Sequence, residues 1–126
     1  MELRAGERII LKKSNFLNLG ILGDVGVFTD TPLIGNHRNV NIFLTNQRVY
    51  TEVPLLRPPL QNIPLIEVPL RSIESVRREK GFLHDFLVVN YRHKSKISKV
   101  VLKLGRDTEL WLKKIEEFKS KSVTKT

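Results

Sequence analysis

The sequence predicts a mainly β protein closed by one C-terminal α-helix. Two observations carry that fold class. Apolar residues alternate with a period of two over most of the chain, as half-buried strands require. Helical spacing occurs only in the last quarter, where Trp111, Ile115 and Phe118 form an apolar stripe. About seven antiparallel strands curl into a sandwich or barrel whose open end exposes its core, and a helix with such a stripe is suited to plug it.

Each element has its own signal. Glu7 to Lys13 (ERIILKK) reads as the first strand, entered through Gly6. Asp24 to Asp30 (DVGVFTD) reads as the second, and a turn-prone stretch with Pro32, Gly35 and Asn36 follows. In Asn39 to Thr45, Val40, Ile42 and Leu44 share one face and Phe43 is the large apolar residue of the other. Asn46-Gln47 then turns the chain into RVYTEV, a two-residue hairpin loop expected to need positive φ. Five of the six prolines lie between Pro54 and Pro69, so PLLRPPLQNIP is expected as a long loop or edge excursion. Leu70, Ile73 and Val76 recur every three residues, which suggests a helical turn running into a strand through Arg78. Phe86 to Arg92 and Ile97 to Leu104 flank the tip His93-Lys94-Ser95-Lys96 and form the clearest hairpin. Gly105 ends that strand, Asp107 is expected as the N-cap of the last helix, and Glu109 in its first turn complements the macrodipole.

At 126 residues with 40% hydrophobic content, the chain is long enough for one domain with a real core, assigned to residues 1–120 with a frayed tail at 121–126. The absence of cysteine excludes a disulfide framework and thiol nucleophiles, and makes a reducing compartment the simplest reading. No apolar run approaches the ~20 residues of a spanning helix, and the start lacks a secretory apolar region. The expected setting is cytoplasmic, peripheral at the inner membrane surface if the protein meets lipid. The net charge of +9 is uneven: residues 1–91 carry 11 basic and 9 acidic side chains, whereas residues 92–126 carry 11 basic and only 4 acidic ones. Such a field favours acidic partners, although lysine-rich tips and helix ends are often plain solvated surface.

Nothing in the sequence assembles a catalytic site. His37, His84 and His93 fall on expected turns, no serine nucleophile signature accompanies His84-Asp85, and no Gly-rich phosphate loop has the required spacing. The histidines are too scattered for a metal site. The chain is expected to be non-enzymatic, with no cofactor and no metal.

GERIIL, NIFLTNQRVY, IPLIEVPLRSIESV and ELWLKKIEEF together resemble a pleckstrin-homology (PH)-like domain, and within that group its GRAM-like and prokaryotic PH-like branch. The resemblance covers roughly residues 6–118, and Leu44-Thr45-Asn46-Gln47-Arg48 is its most specific piece. It implies a seven-stranded antiparallel PH-like barrel capped by the C-terminal helix. The Pro-rich stretch at 54–64 departs from the pattern. The fold serves lipid-binding, peptide-binding and assembly modules alike, so it leaves the function open.

Two surfaces stand out as candidates. Lys12 and Lys13 at the end of the first strand, with Lys94, Lys96, Lys99 and Lys103 of the last hairpin, are expected to form a positive face for an anionic lipid surface or an acidic protein partner. The second strand lacks the basic pair that phosphoinositide-gripping PH domains place there, which argues against that specific recognition. Phe16, Leu17 and Leu19 in the first inter-strand loop, and Leu55 and Leu56 in the Pro-rich one, would contact a membrane or partner if exposed, or pack inside if they extend the flanking strands. The alternative function is a self-assembly domain forming homo-oligomers with no lipid role. Nucleic acid is disfavoured, because Trp111 and Phe118, the aromatics of the basic segment, belong to the helix core.

Overall fold

In the computed structural model, residues 2–14, 26–29, 36–37, 40–53, 63–80 and 85–124 are described. Among the described residues nine strands precede the helix: β1 (Ile9–Ser14), β2 (Gly26–Thr29), β3 (Asn36–His37), β4 (Asn41–Thr45), β5 (Arg48–Val53), β6 (Ile63–Pro69), β7 (Ile73–Lys80), β8 (Asp85–His93) and β9 (Lys96–Lys103). Seven of them have five or more residues, the expected number but not the expected set: the stretch expected as the second strand holds only the four-residue β2, paired with the two-residue β3, and β6 makes up the seven. All pairings are antiparallel. They form two sheets, in the order β1-β4-β5-β6 and β3-β2-β9-β8-β7. The expected barrel is therefore not closed: among the described residues no ladder joins one sheet to the other. The sheets face each other across a shared core instead.

That core is built from the alternation in the sequence. Ile42 and Leu44 of β4, Val49 of β5 and Val68 of β6 meet Leu87 and Val89 of β8 and Val100 and Leu102 of β9. Helix α1 (Thr108–Thr124) adds Trp111, Ile115 and Phe118, so the apolar stripe does fill the end of the sandwich. Trp111 and Ile115 are essentially inaccessible to solvent. The helix backbone runs to Thr124, past the point where the tail was expected to begin.

Three local departures have physical causes. Residues 70–72 form a 3-10 turn as expected, but Ile73 and Val76 both lie in β7. Their spacing of three comes from an irregularity between Ile73 and Ser75, which resets the inward-facing parity. A similar irregularity between Ile9 and Leu11 lets the consecutive Ile10 and Leu11 both pack against the core. The end of the Pro-rich region, Ile63–Pro69, is a full strand; its prolines are tolerated because β6 is the edge of its sheet. Thr51 supports the shifted register there, its Oγ1 accepting the Ile66 N–H at 3.0 Å.

The two hairpin turns differ. Lys94 and Ser95, between β8 and β9, have φ of 50° and 69°, as a two-residue turn of the primed type requires. Asn46 and Gln47 do not adopt positive φ, contrary to the expectation. Their turn is held by the Thr45 hydroxyl, which accepts the N–H groups of Gln47 and Arg48 at 3.1 and 3.0 Å. Asp107 also departs from its expected role. It closes a 3-10 turn (Gly105–Asp107), and its carboxylate pairs with Lys13 at 2.7 Å.

Candidate functional site

The β4–β5 turn organises one end of the molecule. Its neighbour Arg48 is buried and reaches back to Glu7, whose side chain is fully shielded from solvent. The guanidinium grips the carboxylate with two bonds, Nε to Oε2 at 2.8 Å and Nη2 to Oε1 at 3.1 Å. The Thr45 hydroxyl donates to Oε2 at 2.6 Å, and the Arg4 backbone N–H donates to Oε1 at 2.9 Å. Burial alone would push the Glu7 carboxyl up, but the hydrogen bonds from Arg48, Thr45 and Arg4 outweigh it and hold it down at about 2. Glu7 in turn raises the Arg48 guanidinium above its ordinary value. Arg48 also donates to the Glu2 carbonyl at 2.9 Å, pairs with Glu67 at 3.3 Å, and stacks over the Tyr50 ring at 4.7 Å. The motif residues Thr45 and Arg48 are thus occupied inside the protein, as a staple between the chain start and the first long hairpin.

The exposed side of the same turn faces a cleft. Asn46 accepts the Arg8 N–H through Oδ1 at 2.8 Å and donates through Nδ2 to the Gly6 carbonyl at 3.0 Å. Gln47 donates through Nε2 to the Ala5 carbonyl at 3.0 Å, and its own carbonyl accepts the Leu70 N–H at 3.0 Å. Gly6 sits at φ +73°, the left-handed conformation that folds this segment over the turn. The resulting cleft is about 600 Å³, lined by Arg4, Arg8, Arg71 and Lys121 together with Asn46, Gln47 and Phe118, among others. No carboxylate is among the described lining residues. Arg8 and Lys121 lie 5.9 and 4.7 Å from the Phe118 ring centroid, placed there by cation–π attraction. Sequence reasoning missed this cleft because its cations are scattered over positions 4 to 121.

The lysines singled out in the sequence do not share one face. Lys12 pairs with Phe43 across β1 and β4 and points to the outer side of the first sheet, its Nζ 5.4 Å from the Phe43 ring. Lys13 points the other way and is half-buried against Asp107. Lys94 and Lys96 are exposed at the β8–β9 tip. Lys99 and Lys103 lie on the outer face of the second sheet, opposite in parity to the buried Val100 and Leu102. Lys94, Lys96 and Lys99 therefore form one group, apart from Lys12 and Lys13. Phe16, Leu17, Leu19, Leu55 and Leu56 lie outside the described residues. Of the three histidines, His93 is exposed at the end of β8, His84 lies outside the described residues, and His37 falls in β3.

Two facing antiparallel sheets with a C-terminal helix filling one end match a solved structure, the Vps36 N-terminal PH domain, with a TM-score of 0.68 over 98% of this chain and 86% of that one. The chain has a PH-like fold. At 22% identity this PH-like likeness carries the fold alone, and it does not extend to the GRAM-like branch that the Leu44–Arg48 motif suggested. No protein-family model matches the sequence, and no curated protein matches it. No described helix of this PH-like chain is long and apolar enough to cross a membrane.

Proposed function

We propose that this PH-like chain is a non-enzymatic binding module that attaches to an anionic membrane surface from the cytoplasmic side. The observation that supports the reading is the β8–β9 hairpin. Its exposed Lys94, Lys96 and Lys99 have no carboxylate partner among the described residues, in a chain of net charge +9. Each basic residue near an acidic leaflet contributes about 1 kcal/mol. Three give weak, reversible attachment that other contacts must reinforce. The non-enzymatic part rests on the sequence, which brings no nucleophile, phosphate loop or metal-ligand spacing together.

The test is sedimentation with phosphatidylserine vesicles across a salt series. Binding is expected to fall steeply with salt, because exposed charges are screened over ~8 Å at physiological ionic strength. The triple change Lys94→Glu, Lys96→Glu and Lys99→Glu should abolish it without unfolding the protein, since none of the three belongs to the core. A wild-type protein that ignores acidic vesicles at low salt refutes the lipid reading and leaves a partner protein, or a second copy of this chain, as the target.

A further inference from the structure

We propose that the cleft between the Arg4–Arg8 segment, the β4–β5 turn and the end of α1 receives an acidic peptide segment of a partner protein, whose carboxylates are clamped by Arg8 and Arg71. The inference goes beyond attachment to a membrane and uses none of the hairpin lysines.

Charge decides the sign of the partner. Arg4, Arg8, Arg71 and Lys121 line the cleft, with no carboxylate among its described lining residues. Two of these cations are already engaged: Arg4 pairs with Glu67, and Lys121 lies 4.0 Å from Glu117. Arg8 and Arg71 are exposed and have no carboxylate partner among the described residues. Elsewhere in the chain, arginines take carboxylates. Arg48 grips Glu7 with two bonds, Arg78 meets Asp85 through Nε at 3.1 Å and Nη2 at 2.7 Å, and Arg92 meets Glu74 at 2.7 Å. A planar guanidinium fork matches an Asp or Glu carboxylate with paired bonds, and arginine clusters recognise acidic motifs in this way.

The uncharged groups favour a peptide over a simple anion. Gln47 donates through Nε2 to the Ala5 carbonyl, which fixes its amide, and its Oε1 accepts no hydrogen bond from the described residues. A phosphate group offers acceptor oxygens, whereas a peptide also brings the N–H donors that such an acceptor needs. Pro69 and Phe118 add apolar lining, and the volume of about 600 Å³ has room for several side chains.

The clamp is ordered before any partner arrives. The Asn46 side chain binds both the N–H of Arg8 and the carbonyl of Gly6, and Arg8 stands over the Phe118 ring. The Gln47 carbonyl binds the N–H of Leu70, the residue preceding Arg71. One turn therefore anchors the backbone beside both arginines, and little ordering remains to be done on binding.

The probe is the end-blocked peptide Glu-Asp-Leu-Asp-Glu, titrated at physiological salt and followed by the backbone amide NMR signals of the whole protein. Wild type should show saturable shifts at Arg8, Gln47 and Arg71, and the neutral peptide Gln-Asn-Leu-Asn-Gln should produce none. Arg8→Ala and Arg71→Ala should each weaken binding on the order of tenfold, and Arg71→Lys should recover only part of that loss. The Lys94/Lys96/Lys99→Glu protein should bind the peptide as wild type does, although it no longer attaches to phosphatidylserine vesicles. That arm separates failure of this proposal from failure of the membrane reading. Vesicles carrying phosphatidylinositol monophosphate should displace the peptide no better than phosphatidylserine vesicles of equal charge; a clear preference would give the cleft to a lipid headgroup and overturn the proposal. It is equally overturned if wild type does not distinguish the acidic peptide from the neutral one, if the triple lysine change abolishes binding, or if the combined Arg8→Ala and Arg71→Ala change leaves binding unaltered in a folded protein.

Discussion

Replacing Arg48 by Met tests the staple at the chain start. Met keeps most of the side-chain volume and removes the charge. Glu7, with no side-chain exposure, would keep only the Thr45 hydroxyl and the Arg4 N–H as donors. Removing one member of a buried ion pair costs roughly 3–5 kcal/mol, because the other charge stays buried. The pH dependence gives a second, independent magnitude. The Glu7 carboxyl lies at about 2 in the folded protein against an ordinary 4.5, which corresponds to about 3 kcal/mol. Because the folded value is the lower one, this stabilisation is complete above pH 4.5 and is lost as pH falls towards about 2. In Arg48→Met the carboxyl loses both Arg48 contributions that hold it down and moves up, so the decline in stability on the acid side should be smaller than in wild type. Denaturant unfolding followed by the fluorescence of Trp111, the single tryptophan, measures both proteins at several pH values. A loss below about 1 kcal/mol at neutral pH, or the same acid-side decline in both proteins, would refute the staple.

Two further changes probe other parts of the fold. Trp111→Ala should cost about 3–5 kcal/mol and lower the melting temperature sharply, since the indole is buried in the shared core; an unchanged melting temperature would sink the plugging role of α1. Ser95→Gly should be mildly stabilising, because Ser95 holds φ 69° and relief of roughly 1–2 kcal/mol of left-handed strain outweighs the roughly 0.5–1 kcal/mol entropy cost of glycine; a lower melting temperature would show that the Ser95 side chain makes a contact worth more than the strain.

The sequence by itself determined the strands and the helix stripe. Period-two alternation located β4, β5, β8 and β9, and the spacing of Trp111, Ile115 and Phe118 located α1, because burying one face leaves a periodic trace that needs no partner to be read. It also placed Lys94 and Lys96 at an exposed tip. It could not show how the sheets meet: whether strands close into a barrel depends on ladder bonds between distant segments, and those bonds are made by backbone groups that every residue carries. The irregularities at Ile9–Leu11 and Ile73–Ser75 were hidden for a related reason, since one extra residue turns a strand's spacing into one that resembles a helix. The motif Leu44–Arg48 was visible, but its meaning was not. Only the fold brings Glu7 onto Arg48 and Asn46 onto Arg8, and so shows that the motif binds its own chain start. Tertiary structure alone assembled the cleft, because a site drawn from positions 4, 8, 71 and 121 has no spacing to recognise until the chain has folded.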